Sequence, residues 1–326
     1  MRAVVCRELA GIDGLALVED WPEPAAGTGE VLLDVRAAAL NFPDLLMVQG
    51  RYQDRPPLPF VAGSELSGVI AAVGEGVGGF QPGDRVVAAC GGALATRVAV
   101  KASQLLTAPR ALDDRAAAGI CITYFTSMHA LMQRAHLQAG ETLLVLGAAG
   151  GVGTTAVQLG KLLGATVIAA AGSARKLEHA RSLGADHLVD YSTQDLRERI
   201  KQLTGGRGVD VVYDPVGGTL AEPVLRSMAW GGRYLVIGFA GGPIPSIPLN
   251  LPLLKGCSIV GVYWGSFAVR EPEVQGRNVA ALWEHFETGR LAPVIGEVHP
   301  LEDFRAAFEA LEQRRAMGKV VVTVAG

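Results

Sequence analysis

The spacing of hydrophobic positions changes partway along the chain. Up to about Ile122 they come in short Val-rich runs, such as 31–35, 68–73 and 85–89. Turn signals at Gly27-Thr28-Gly29, Gly78-Gly79 and Pro82-Gly83-Asp84 separate these runs. Short strands between glycine and proline turns predict a small β-barrel rather than a helical domain. From about Thr123 apolar runs of strand length alternate with helical periodicity. Strands are predicted over 143–146, 166–171, 187–190, 209–213, 234–239 and 258–262, and helices over 152–163, 176–183, 195–203 and 223–228. That alternation predicts an α/β fold with a doubly wound parallel sheet. The tail reads as helix over 277–290 and 301–317, then a last strand over 319–324 that returns to the first domain. The expected domains are 1–122 with 266–326, and 123–265.

The first strand of the alternating half ends in a glycine-rich turn, TLLVLGAAGGVG over 142–153, and a helix follows at once with Gly164 as its stop. Strand, tight turn and helix place a diphosphate on the unpaired N–H groups of a helix N-terminus. The turn reads Ala148-x-Gly150-x-x-Gly153, so Ala stands at the first position of the usual G-x-G-x-x-G. Glycine turns also make plain βα connections, but the context on both sides here is that of a dinucleotide site. Ala149, Gly150, Gly151, Val152 and Gly153 are its expected lining.

The strand over 166–171 identifies the dinucleotide. A carboxylate at its end would hold the ribose 2′-hydroxyl of NAD and repel the 2′-phosphate of NADP. Gly172-Ser173-Ala174-Arg175-Lys176 stands there instead. Ser173 would cap the next helix, with Arg175 and Lys176 in its solvated first turn. The same groups suit a phosphate, since Arg binds it bidentately and Lys supplies a point charge. NADPH is the expected cofactor.

Composition narrows the class further. At 326 residues the chain is long enough for two domains, and its net charge of −3 argues against a nucleic-acid surface. The opening MRAVVCRELAG shows no signal-peptide core, and no apolar run is long enough to span a membrane. Cys6, Cys90, Cys121 and Cys257 are scattered, with no CxxC, and read as packed thiols in a reducing compartment. The expected location is the cytoplasm. The histidines, His129, His136, His179, His187, His285 and His299, show no ligand spacing.

Besides the glycine turn, three passages resemble one family over the whole length. They are Ala39-Leu40-Asn41-Phe42-Pro43-Asp44 with Gly50-Arg51-Tyr52; Pro59-Phe60-Val61-Ala62-Gly63-Ser64-Glu65-Leu66-Ser67-Gly68-Val69 with Gly83-Asp84-Arg85-Val86; and Gly318-Lys319-Val320-Val321. The chain resembles the zinc-independent, quinone-oxidoreductase-like branch of the medium-chain dehydrogenase/reductases, which includes zeta-crystallin. The resemblance implies a GroES-like barrel domain, a Rossmann domain and an active cleft between them. The superfamily's zinc enzymes place a Cys ligand where this chain has Phe42 or Pro43, and a His where it has Ser64. Their close set of four structural cysteines is missing too. No metal is therefore expected.

Without zinc to stabilise an alkoxide, the expected reaction is one that needs less help. NADPH-dependent reduction of a quinone or activated enone fits, since the charge spreads onto a distant oxygen and positioning with hydrogen-bond donors can suffice. The resemblance places Asn41 and Tyr52 in the cleft and Tyr124 and Thr126 beside the cofactor, as the candidate catalytic set. Asn41 also reads as a turn former, and both tyrosines as packed aromatics. The resemblance places Tyr191 over the 2′-phosphate or adenine, and Gly238, Phe239 and Ala240 at the nicotinamide edge. Asp214-Pro215-Val216-Gly217 ends a neighbouring strand. Arg315 or Arg314, with Gly318 and Lys319, would reach the cofactor from the tail.

Leu46 stands where several quinone reductases carry an aromatic residue, which points to a more aliphatic wall. Trp264 reads as another wall or as a subunit contact. The expected partners are a small quinone or enone and a second copy, joined edge to edge through the Rossmann sheets near 258–262. An enoyl-thioester reductase is the alternative, with Arg51 and Arg55 as candidate phosphate contacts. A non-catalytic NADPH-binding protein with a structural or regulatory role is the second alternative.

Overall fold

The structure is a computed structural model, and residues 1–324 are described. They form two compact units: Met1–Ile122 together with the chain from Phe286 onward, and Thr123–His285.

The first unit opens with β1 (Ala3–Cys6), β2 (Leu15–Val18) and the long β3 (Glu30–Leu40), which runs into helix α1 (Phe42–Val48). Next come β4 (Phe60–Val61), β5 (Leu66–Val73), β6 (Arg85–Ala88), β7 (Arg97–Lys101) and β8 (Leu105–Thr107), then α2 (Asp114–Ala118) and α3 (Cys121–Met128). Proline and glycine turns keep most of these strands short, while β3 alternates Val31, Leu33 and Val35 into one core.

The second unit is a parallel sheet with helices between its strands. In chain order it holds β9 (Thr142–Leu146), α4 (Gly151–Leu162), β10 (Thr166–Ala171), α5 (Ala174–Ser182), β11 (His187–Asp190), α6 (Leu196–Leu203), β12 (Val209–Asp214), α7 (Ala221–Leu225) and β13 (Met228–Val236). Then follow α8 (Asn250–Lys255), β14 (Ser258–Gly261), α9 (Trp264–Arg270) and α10 (Pro272–Glu287). The strand order is β11-β10-β9-β12-β13-β14, all parallel. The order reverses at β9, so a ligand crevice is expected beyond the carboxyl ends near it.

The chain returns to the first unit with β15 (Ile295–Pro300), α11 (Phe304–Glu312) and β16 (Lys319–Thr323). The first unit's larger sheet then runs β15-β16-β3-β5-β6-β8, with β7 also paired to β3; β2-β1-β4 form a smaller one. Phe304 and Phe308 of α11 seal the core against Leu40 and Val320. β16 lies antiparallel to β3, pairing Val320 with Leu40.

Several boundaries differ from the sequence expectation, each for a local reason. The helix expected over 223–228 covers Ala221–Leu225, because Met228 already pairs with Val209 in the sheet. The strand expected over 234–239 stops at Val236, because Ile237 and Gly238 both turn their N–H groups onto Asp214 O. The tail helix stops at Glu312, and Arg314 takes a left-handed φ of 55°. The return to the first unit comes at Phe286 rather than at residue 266. Residues 264–285 stay with the second unit because Trp264 and Trp283 pack on Phe125, and Phe267 stacks on His129.

Candidate functional site

The glycine turn between β9 and α4 is built from backbone contacts that exclude side chains. Gly147 carries the left-handed φ of 57°, so it supplies the tight turn that the motif assigns to its first glycine. That role lies one residue before Ala148, where the pattern looked for it. Gly150 is the N-cap of α4, and its carbonyl accepts the N–H of Thr154 at 2.9 Å. A Cβ on Gly153 would lie 2.2 Å from Gly147 O. A Cβ on Gly160 would lie 2.6 Å from the Leu143 side chain, so α4 sits close on the sheet. Ala149 is buried, while Gly151 and Val152 are half-buried at the helix start. The first N–H groups of this three-turn helix have no partners within the helix, which fits a diphosphate.

At the end of β10 the structure brings Gly172, Ser173, Lys176 and Tyr191 together. Gly172 is exposed, and a Cβ there would meet the Tyr191 ring at 3.0 Å. Ser173 is the N-cap of α5, its hydroxyl accepting the Lys176 N–H at 3.4 Å. Arg175 is exposed in the first turn and makes no hydrogen bond or ion pair among the described residues. An open crevice of about 760 Å³ begins at Tyr191 and runs past Gln194, Gly218, Thr219 and Arg226. No carboxylate ends β10, so the corner fits a 2′-phosphate better than a free 2′-hydroxyl.

The loops leaving β12 and β13 are fastened to each other. Ala240 N–H donates to Pro215 O at 3.0 Å and Gly241 N–H to Val216 O at 2.7 Å. Asp214 organises the first loop, with Oδ1 accepting from Val216 N–H at 2.7 Å and Gly217 N–H at 2.8 Å. Its Oδ2 accepts the Tyr234 hydroxyl. Burial raises the Asp214 carboxyl above its ordinary value, against the pull of these three donors. Gly238, Phe239 and Ala240 are half-buried at this edge. An apolar cavity of about 230 Å³ lies behind Asp214, Tyr234 and Phe239.

Helix α3 carries Tyr124 and Thr126. Tyr124 is buried and its hydroxyl donates to Gln158 Oε1 at 2.7 Å. Burial pushes its pKa up, so the hydroxyl keeps its proton. Thr126 is half-buried. Beside them Ser127 Oγ lies 2.7 Å from Thr155 Oγ1 and 2.8 Å from the Tyr213 hydroxyl, which ties α3 to α4 and β12. Sequence reasoning missed this buried hydroxyl network, because Ser and Thr in helices carry no local signature of a partner strand.

In the first unit, Asn41 is buried at the N-cap of α1. Its Nδ2 donates to Glu65 Oε1 at 2.9 Å, and its Oδ1 accepts from Lys319 Nζ at 2.6 Å. Lys319 is a correction to the sequence expectation. Its ammonium faces its own unit's core, donating to Leu40 O at 2.8 Å, Asn41 Oδ1 at 2.6 Å and Glu65 Oε1 at 2.6 Å. Three donors meet three acceptors, so nothing remains to offer a cofactor phosphate. Glu65 Oε2 also accepts the Ile122 N–H at 3.0 Å, at the start of α3. Tyr52 is half-buried in a loop, with Arg55 Nε on its carbonyl at 3.4 Å. Arg315 is exposed beyond α11.

Residues 27–110 match the family described as alcohol dehydrogenase GroES-like domain, and residues 151–278 the family described as zinc-binding dehydrogenase. Quinone oxidoreductase-like protein 2 of Bos taurus is 39% identical over 325 residues, covering 99% of this chain and 92% of the relative. The chain belongs to the quinone oxidoreductase-like branch of the medium-chain dehydrogenase/reductases. Two solved structures superpose on nearly the whole chain. Escherichia coli quinone oxidoreductase, in complex with NADPH, superposes with a TM-score of 0.92 at 28% identity, over 99% of this chain and all of that one. CurK enoyl reductase gives 0.90 at 28% identity, over 99% of each chain.

One of the matched family descriptions names zinc, but the residues here do not suit it. Ser64 Oγ and Asp44 Oδ1 are both buried, and the Ser64 hydroxyl pulls down the Asp44 carboxyl. They are a hydroxyl and a carboxylate oxygen, not the Cys and His donors of the superfamily's zinc enzymes. Among the described residues no group of three or more His, Cys, Asp or Glu side chains converges.

Proposed function

We propose that this protein is an NADPH-dependent reductase of quinones and related conjugated enones that works without zinc. The observation that carries the cofactor reading is the end of β10. Ser173 caps α5 there, Arg175 is exposed and uncommitted, and no acid is present. The names of the relatives support the quinone.

NADPH, when bound, supplies the hydride. The α4 N-terminus and its glycine turn hold the diphosphate; Ser173, Arg175 and Lys176 hold the 2′-phosphate, and Tyr191 lies beside it. Gly238, Phe239 and Ala240 offer backbone groups at the nicotinamide end. Helix α3 presents Thr126 there, with Tyr124 fixing the helix through Gln158. The acceptor takes up a hydride and a proton, and the proton comes from water or from Tyr52, since Tyr124 is committed. Asn41 is a positioning group held by Lys319 and Glu65.

An enoyl-thioester reductase is the second reading, supported by the likeness to CurK enoyl reductase and by Arg51 and Arg55, exposed beside Tyr52. Comparing NADPH oxidation by 1,4-benzoquinone and by crotonyl thioester separates the two. Faster turnover of the quinone is expected, and a clear preference for the thioester sinks the quinone reading.

The working form is a homodimer joined through β14. That strand ends the sheet, and an unpaired edge invites a second strand. Trp230, Leu253 and Leu254 are exposed in neighbouring segments. Cys6, Cys90, Cys121 and Cys257 are all free thiols, which supports a reducing compartment such as the cytoplasm.

A further inference from the structure

Trp264 lies just past the carboxyl end of β14, as the first residue of α9. Val262 N–H donates to Val236 O at 3.0 Å, so the chain leaving β14 runs beside the segment leaving β13. That neighbouring segment carries Gly238 and Phe239. Trp264 therefore stands beyond the carboxyl edge of the sheet, beside the segment proposed to hold the nicotinamide end.

The indole is held in place. Its Nε1–H donates to Gln275 Oε1 at 3.2 Å. The Phe125 ring lies 5.6 Å away, tilted by 50°. Phe125 is itself buried, and it also stacks on Trp283 at 6.0 Å and 27°. These contacts fix the ring without enclosing it, and Trp264 stays half-buried. A fixed indole with accessible surface suits a flat π-system, because offset stacking rewards a ring that loses little freedom on binding.

We propose that Trp264 is a specificity-determining residue that stacks on the acceptor and selects flat, fused-ring quinones over small puckered enones. The proposal rests on the reading that the acceptor is a conjugated carbonyl. Trp283 packs on the same Phe125, so it controls for packing alone.

The test is isothermal titration of 9,10-phenanthrenequinone into the enzyme saturated with NADP⁺, which cannot deliver hydride. This quinone has no free vinylic carbon to alkylate the thiols. Trp264→Leu is expected to weaken binding by about fivefold or more, and Trp264→Phe, which keeps a ring, to restore most of it. Trp283→Leu is expected to stay within about twofold of wild type, and in Trp264→Leu the KM for 2-cyclohexen-1-one is expected to rise by less than the quinone affinity falls. NADP⁺ affinity should be the same in every variant. The proposal is overturned if wild type does not bind the quinone, if Trp264→Leu binds it equally well, or if both Leu variants weaken it alike. Binding in wild type without NADPH turnover would defeat the proposed function and leave the stacking wall standing.

Discussion

Lys319 Nζ lies 2.6 Å from Glu65 Oε1, with the lysine side chain 4% exposed and the glutamate fully buried. The pair fastens the last strand to the start of β5 and, through Asn41, to the cap of α1. Removing one charge leaves the other buried and unpaired, which costs about 3–5 kcal/mol. Glu65→Gln should lose that much stability in urea unfolding. The double change Lys319→Met with Glu65→Leu should recover most of it. Equal losses in the single and double variants would mean that unpaired charge is not the cause.

Asp44 gives a pH signature to the same region. Burial raises its pKa to about 6, against the pull of the Asn41 N–H, the Ser64 hydroxyl and Lys319, while Glu65 pushes the same way as burial. Unfolded, the group titrates near 4, so the native state keeps the proton longer (about 3.9 for a free Asp). Its stabilising contribution is complete below that value and is lost as pH rises through 6. Asp44→Asn keeps an acceptor for the Asn41 N–H and removes the titration. It should therefore flatten the fall in stability between pH 4 and 7, by roughly 2 kcal/mol. Urea unfolding at the two pH values checks this, and an unchanged slope would assign the titration to another group.

Much of the second unit could be read from sequence because its signals are local. β10 and β11 run over Thr166–Ala171 and His187–Asp190, where the apolar runs placed them. Ser173 and Asp195 cap the helices that follow each strand. Other features depend on distant partners. The Lys319 side chain was expected at the cofactor, but Glu65, Leu40 and Asn41 claim it from more than 250 positions away. The Tyr124 hydroxyl read as a possible donor until Gln158 was found on it. Helix α8 is a single short turn pair in a Leu- and Pro-rich stretch with no apolar periodicity, and the pattern did not predict it.

The 2′-phosphate corner predicts a change of cofactor. Ser173→Asp keeps a helix cap while placing a carboxylate where the phosphate would sit. With Arg175→Ala added, kcat/KM for NADPH should fall by about 100-fold, the loss of two charge-assisted contacts, while NADH is little changed or improved. Steady-state kinetics with both cofactors decides it. Equal losses for the two would place the phosphate elsewhere.

The sheet edge predicts the assembly. Ile259 is 41% exposed in β14, and Trp230 is 84% exposed in the neighbouring strand β13. Ile259→Pro removes an edge N–H and blocks strand pairing. Light scattering should show a dimer for wild type and a monomer for the variant. A wild-type monomer, or a variant that stays dimeric, would move the contact away from β14.

The most direct test of the central claim is steady-state oxidation of NADPH by 1,4-benzoquinone in the presence of a metal chelator, run beside NADH. The account predicts rapid turnover with NADPH, a much weaker response to NADH, and no effect of the chelator. Loss of activity on chelation, or equal rates with the two cofactors, would contradict it.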